Sequence, residues 1–315
     1  MLEMVDGEDG NWEGDARRRW WRSFPLGVNK INRPGARVAP ARACPGEVAS
    51  PPVRNPPPPH VRAAFGAKNA EPVLIEHGPV WRCDDIALRQ AVNPAEASWV
   101  AQTLGELEVP ELRVARPVRS SDGRYVVGGW VGFRFIPGRA EPRYDEVISA
   151  SLRLHKATAE LRRPRFLGMR ADVFALADRL AWGEEKKVKL EPALGGRLFE
   201  LYAESRKDVT LTAQVVHGDL FGNVLFDGDA APGIIDFTAF FRPPEWAAAV
   251  VVVDAMAWGG ADDAIAKRWG HLPEWPQALL RALLFRLAVH ALHPKSTPRS
   301  MRGLERAAQA IGQLI

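Results

Sequence analysis

The segment Val215-Val-His-Gly-Asp-Leu-Phe-Gly-Asn-Val-Leu-Phe226, followed by the turn Asp227-Gly-Asp229 and by Gly233-Ile-Ile-Asp-Phe237, constrains this chain more than any other. Val224-Leu225-Phe226 and Gly233-Ile234-Ile235 read as the two arms of an antiparallel hairpin. Asn223 stands just before the first arm and Asp236 just after the second, so both fall at the same open end. Asp219 lies four residues upstream of Asn223, on the loop that feeds that end. The pattern therefore gathers three oxygen-bearing side chains about one small volume. Magnesium takes oxygen ligands and is typically held by one or two carboxylates plus substrate phosphates, so this set suits a Mg²⁺ nucleotide better than a metal held by protein alone. A third carboxylate, not tied up by metal, is free to accept a proton from an attacking hydroxyl. The plainer reading of the same residues is a hairpin with turn acids and a cap.

Composition narrows the alternatives. At 315 residues the chain is long enough for two domains or one bilobal unit, and 46% hydrophobic with 25% charged residues is globular. The net charge of +4 hints weakly at acidic ligands, but no basic stripe interleaved with aromatics argues for nucleic acid. No apolar run approaches the roughly 18–20 residues of a membrane span. Two cysteines, Cys44 and Cys83, without zinc spacing, fit a reducing cytoplasm rather than a disulfide framework.

Residues 1–62 hold ten of the 26 prolines and the basic cluster Arg17 to Arg22 without a sustained apolar period, and read as a disordered extension. That extension is either a membrane- or partner-binding arm or a stretch without function. Residues 63–137 read as a small strand-rich lobe. Strands are expected at 72–75 and 86–89, with a turn through His77-Gly78-Pro79 and a return through Trp81. Two more are expected at 112–118 and 125–135, separated by the turn at Ser121-Asp122-Gly123. Asn93-Pro94-Ala95-Glu96 opens a helix with Asn at the N-cap and Pro at the first helical position. Residues 138–315 read as a larger helical lobe, with helices over 144–161, 172–182, 194–204 and 276–292. Trp246, Trp258, Trp269 and Trp275 either pack between these helices or line a cleft.

At His217-Gly-Asp-Leu, Asn223-Val-Leu and Ile235-Asp-Phe237 the sequence resembles the aminoglycoside phosphotransferase-like family of the protein-kinase-like fold. The likeness spans roughly 70–300 and is strongest at 215–237. Arg242-Pro-Pro-Glu-Trp246 and Asp254-Ala-Met-Ala-Trp258 resemble an actinobacterial subgroup of that family. The resemblance implies a bilobal α+β fold, with a small antiparallel-sheet N-lobe and a larger helical C-lobe. It also implies ATP or another NTP with Mg²⁺, and transfer of the γ-phosphate to a hydroxyl of a small polar molecule. Asp219 falls at the family's catalytic aspartate, and Asn223 and Asp236 at its magnesium ligands. His217 matches a position usually buried and structural. Asp254, alone in the apolar stretch 247–258, resembles the helix aspartate that receives backbone N–H groups of the catalytic loop. In the small lobe Arg89 stands where the family contacts nucleotide phosphates. Glu96 is either its acidic partner or the reciprocal half of a capping box on Asn93. Phe135 and Ile136 lie on the strand into the hinge, where backbone groups would meet adenine.

Three features depart from the family pattern. Arginine replaces lysine at 89, the gap from Asp219 to Asn223 is one residue shorter, and Gly78 alone stands where a glycine-rich loop would cover the phosphates. No GxxxxGK[ST] loop is present, which argues against a P-loop kinase. Besides the kinase, these departures keep open a pseudokinase that binds nucleotide without transfer. A third possibility, by analogy only, is resistance to a cationic antibiotic received by Glu245, Asp262 and Asp263.

Overall fold

The computed structural model describes residues 55–75 and 79–315. The Arg17–Arg22 cluster, Cys44 and Gly78 lie outside them. Helix α1 (Pro59–Ala64) begins four residues inside the stretch read as an extension, and its Val61 is fully buried. The small lobe is an antiparallel sheet of β1 (Val73–Leu74), β2 (Val80–Cys83), β3 (Ile86–Gln90), β5 (Pro117–Val118), β6 (Val126–Val127) and β7 (Trp130–Arg134). Its order is β1-β2-β3-β7-β5, with β6 pairing β7. Val61 and Phe65 pack with Cys83, Ile86, Leu88 and Trp130 in a core of this lobe's own.

Two expected strands are broken, each for a local reason. Residues 112–118 divide into β4 (Arg113–Val114) and β5, which belong to different sheets. Residues 125–135 divide because Gly128 and Gly129 both take positive φ, a hairpin turn that glycine enters without steric cost. Helix α2 (Pro94–Glu106) starts as expected, the Asn93 side chain accepting the N–H groups of Ala95 and Glu96. Its stripe of Ala97, Val100, Ala101 and Leu104 is buried, and Val100 and Leu104 join the core of the large lobe.

In the large lobe, α3 (Tyr144–Ala157), α4 (Val173–Ala181) and α5 (Gly196–Ala203) precede β8 (Gln214–His217), β9 (Val224–Leu225), β10 (Gly233–Ile234) and β11 (Ala239–Arg242). Then come α6 (Pro244–Asp254), α7 (Ala264–Arg268), α8 (Trp275–Leu292) and α9 (Pro298–Gly312). Helix α3 stops short of 161 because Thr158 donates its hydroxyl to the Val215 carbonyl at 2.7 Å, turning the chain onto β8. Helix α8 lies against α4, α5 and α6. Residues 277–291 of α8 and 246–254 of α6 are buried on every side; α6 is apolar up to its last residue, Asp254, whereas α8 takes Arg281, Arg286 and His290 into the interior with it. Leu279, Leu280, Leu283, Leu284 and Leu287 are fully covered, each worth about 1.5–3 kcal/mol of burial. Trp246, Trp258 and Trp275 are buried between helices. The Trp269 indole donates to Asp145.

The expected two-lobed α+β architecture is present, and the chain crosses between its lobes three times: into β4, back to β5, and out again after β7. Strand β4 pairs in parallel with β10 of the large lobe, whereas β5, beginning three residues after Val114, pairs with β7 of the small one. Beyond β7, Arg139 exchanges two backbone hydrogen bonds with Phe226, at 3.0 and 2.8 Å. Gly138 makes this approach possible: its φ is +122°, and a Cβ there would stand 2.6 Å from the Phe226 carbonyl oxygen. No described helix is long and apolar enough to cross a membrane.

Candidate active site

The hairpin forms in the expected register, Gly233 opposite Leu225 and Ile234 opposite Val224. Buried histidines stitch its open end together. The Asp219 N–H donates to His217 Nδ1 at 3.2 Å, so the ring proton sits on Nε2, which faces the Ile235 carbonyl at 3.3 Å. The His217 N–H in turn donates to His155 Nε2 at 2.9 Å. Burial depresses both imidazoles, His217 to about 4 and His155 to about 3, so both are neutral near pH 7. His217 thus ties the loop carrying Asp219 to the strand end carrying Asp236, a structural role.

Asn223 completes the stitching. Its Nδ2 donates to the Asp219 carbonyl at 2.7 Å and its own carbonyl accepts the Ile235 N–H at 3.0 Å. With the amide nitrogen committed, Oδ1 remains as the acceptor end of the side chain. Asp236 sits at φ +51°, a left-handed conformation aspartate tolerates better than most residues. Gly218 is required for space, because a Cβ there would meet the Phe240 ring at 2.4 Å.

The two carboxylates of this end are held by different arginines. Asp236 Oδ1 lies 2.8 Å from Arg89 Nη1, a pair with side chains 30% and 44% exposed. Arg89 therefore reaches the site, but through the expected metal ligand rather than through Glu96. The Glu96 carboxylate accepts no hydrogen bond from the Asn93 backbone N–H, so the capping-box reading is set aside. It stands instead in the field of Arg170, Asp172, Arg89 and Asp236, with its carboxyl raised above the usual range chiefly by burial. In the hinge, the Phe135 N–H is already taken by the Asp85 carbonyl at 2.8 Å, and its ring lies under Arg82. The neighbouring Ile136 is different: among the described residues no hydrogen bond takes up its N–H or C=O.

Asp254 is fully buried, as the sequence suggested, but its partner is not loop backbone. Arg286 of α8 donates Nε to Asp254 Oδ1 at 2.7 Å and Nη2 to Asp254 Oδ2. The same Nη2 lies 3.0 Å from Asp219 Oδ1. Burial raises the Asp254 carboxyl to about 7 despite Arg286, with the nearby Asp219 charge adding to the rise. Sequence reasoning passed over Arg286, yet it left a signal. Arg286 shares a helical face with Leu279, Leu283 and His290, and a charge on an apolar face needs an opposite charge. Asp254 is the lone acid of another apolar run.

Glu245 lies in the first turn of α6, where a carboxylate suits the helix N-terminus, and Asp262 pairs with Arg268 at 3.3 Å. Among the described residues, no group of three or more His, Cys, Asp or Glu side chains is arranged to hold a metal ion by itself. Asn223 Oδ1 and the accessible Asp236 carboxylate, already facing one cation, form a donor set fit for Mg²⁺ shared with phosphates.

The sequence matches no protein-family model and no curated protein. Among solved structures, the chain is similar to choline kinase LicA from Streptococcus pneumoniae (9% identity, 81% of this chain and 98% of that one, TM-score 0.49). It is similar also to a thermostable mutant of aminoglycoside phosphotransferase APH(4)-Ia in ternary complex with ADP and hygromycin B (11% identity, 81% and 96% coverage, TM-score 0.48). A third is a choline/ethanolamine kinase family protein from Mesorhizobium loti (15% identity, 74% and 89% coverage, TM-score 0.40).

Proposed function

We propose that this protein is an ATP-dependent small-molecule kinase of the aminoglycoside phosphotransferase-like family, moving the γ-phosphate to a hydroxyl of a small polar acceptor. The observation that carries this reading is the stitched loop pair. His217 and Asn223 fix Asp219 and Asp236 on adjoining segments, one carboxylate for the acceptor and one for a cation. The acceptor oxygen forms a bond to the γ-phosphorus as the bond to the β–γ bridging oxygen breaks, ADP leaves, and the hydroxyl proton passes to Asp219. Asn223 Oδ1 and Asp236 would hold Mg²⁺, which when bound neutralises charge on the phosphates. Arg89 reaches the same phosphates with a guanidinium, whose planar fork is not equivalent to a lysine ammonium. Ile136 offers its uncommitted backbone pair to the base.

Replacing Asp219 with Ala tests this directly. Turnover should fall by about 10²–10⁴-fold while nucleotide affinity, measured by calorimetry, is kept; unchanged turnover refutes the assignment. One observation favours a second reading, a pseudokinase that senses nucleotide. The Arg89–Asp236 pair sets a protein cation against the carboxylate proposed to bind the metal. Stabilisation by Mg-ATP without phosphate transfer across a broad panel of hydroxyl acceptors would select that reading over the first.

A further inference from the structure

The segment read as meeting a base contains one peptide whose direction is set by a distant side chain. Arg113, at the start of β4, donates Nε to the Ala231 carbonyl at 2.6 Å and Nη1 to the Pro137 carbonyl at 3.2 Å. Among the described residues no acid pairs with this guanidinium, and its covered Nη2 has no hydrogen-bond partner. A buried donor left unmatched needs a reason. Here the reason is placement: two carbonyls fix the guanidinium, one on the turn before β10 and one on the chain between the lobes.

A trans peptide carries its C=O and N–H on opposite sides, and no described peptide is cis. With the Pro137 carbonyl drawn toward Arg113, the Gly138 N–H is turned away from β4. In the sheet order β4-β10-β9 that direction leads toward β9. Gly138 is exposed, and among the described residues no hydrogen bond takes up its N–H. Together with the uncommitted Ile136 carbonyl it makes an acceptor and a donor two residues apart. An adenine edge is complementary, since its amine donates and its ring nitrogen accepts. Strand β9 joins this point to the cation end: Asn223 precedes it, and Phe226, bonded to Arg139, follows it. Three residues at about 3.3 Å each span roughly 10 Å, so a nucleotide lying along β9 keeps phosphates at Asn223 and base at 136–138.

We infer that Arg113 is a positioning residue for base recognition, holding the Pro137–Gly138 peptide from behind so that the Gly138 N–H and the Ile136 carbonyl face the base together. The inference rests on the reading of this segment as the base site. Arg113 itself touches no nucleotide. Its part is to stop the peptide from turning over, which would set a carbonyl oxygen against the base in place of a donor.

Removing Arg113 strands no buried acid, and water can serve the carbonyls of exposed Pro137 and half-buried Ala231. The test uses the full chain with Arg113→Met and Arg113→Lys. The probes, each with Mg²⁺, are ATP and ribose 5′-triphosphate, which keeps sugar and phosphates but has no base. By calorimetry Arg113→Met should bind ATP about 5–10-fold more weakly, the worth of one hydrogen bond, and ribose 5′-triphosphate as tightly as wild type does. Arg113→Lys, which keeps a donor on a long stem, should fall between. ATP turnover with water as acceptor should show the same factor in KM and an unchanged kcat. Equal weakening of both probes marks a general disturbance of the cleft and overturns the inference, as does wild-type ATP affinity in Arg113→Met. Crystal structures of wild type and Arg113→Met add a readout free of affinity: the Pro137 carbonyl should leave its wild-type direction, and an unmoved carbonyl overturns the inference. A wild-type chain that binds both probes equally refutes the base site, and one that binds neither refutes the kinase reading. In both cases the Pro137 carbonyl still decides whether Arg113 sets this peptide.

Discussion

Gly218 stands between the histidine and the aspartate of the His217-Gly-Asp219 run without a positive φ to explain it, so its requirement is one of space. A Cβ built at 218 would lie 2.4 Å from Phe240 Cδ2 and 2.7 Å from Cε2, against about 3.4 Å for ordinary contact. Relief needs the ring to retreat by about 1 Å (3.4 minus 2.4). Phe240 has nowhere to go. Trp246 and Phe285 stand 5.4 and 5.6 Å from its centroid, and the Arg170 guanidinium covers it at 5.1 Å. Overpacking a dense core costs typically 1–3 kcal/mol, and a clash with a ring boxed in on three sides belongs at the upper end. Gly218→Ala should therefore cost about 2–3 kcal/mol and lower Tm by about 3–6 °C in a chain of this size. The Trp246 fluorescence transition is a local reporter. Phe240→Leu should be destabilising alone yet less so in the Gly218→Ala background, since the smaller side chain vacates the contested space. A Gly218→Ala chain that melts like wild type, or strict additivity of the two substitutions, would refute the steric account.

The half-exposed Arg89–Asp236 pair should contribute little to folding: Arg89→Ala should shift unfolding free energy by less than about 1 kcal/mol, while Mg-ATP affinity falls, as calorimetry would show. Stability should decline on acidification from pH 6.5 toward 4. His155, His217 and His293, all depressed chiefly by burial, stay neutral in the folded chain but each takes up a proton once unfolded, whereas Asp254, raised to about 7, keeps one more proton folded than unfolded. Three protons against one leaves about two protons taken up on unfolding near pH 5, or about 3 kcal/mol per pH unit. Urea titrations at pH 4.5, 5.5 and 6.5 with equal midpoints would contradict this. Gly138→Ala should impair both stability and turnover, because the new Cβ meets a backbone oxygen that cannot step aside; wild-type melting would show that the crossing tolerates more than its geometry allows.

Local pattern made the hairpin, the Asn93 cap and the helix faces legible, because each follows from residues close in sequence. The same holds for the open end carrying Asp219, Asn223 and Asp236. What was illegible depended on distant pairing. The division of 112–118 between two sheets is set by partners more than 100 residues apart for β4 and close by for β5. The Asp254–Arg286 pair spans 32 residues, and Arg89 meets Asp236 rather than Glu96. Short-range spacing says that a buried charge needs a partner; it does not say which of several will arrive.

The repeated passage of the chain between its halves has a mechanical corollary. After α2 leads into β4, one strap runs back from Val114 to Pro117 and another out from Arg134 to Arg139, the latter clamped to Phe226. Two straps side by side forbid free swivelling and leave one easy motion, a jaw-like rotation about the line through both. Cutting the backbone at 136–137 should leave β4 of the first fragment paired with β10 of the second, so that the nicked protein migrates as one particle on gel filtration.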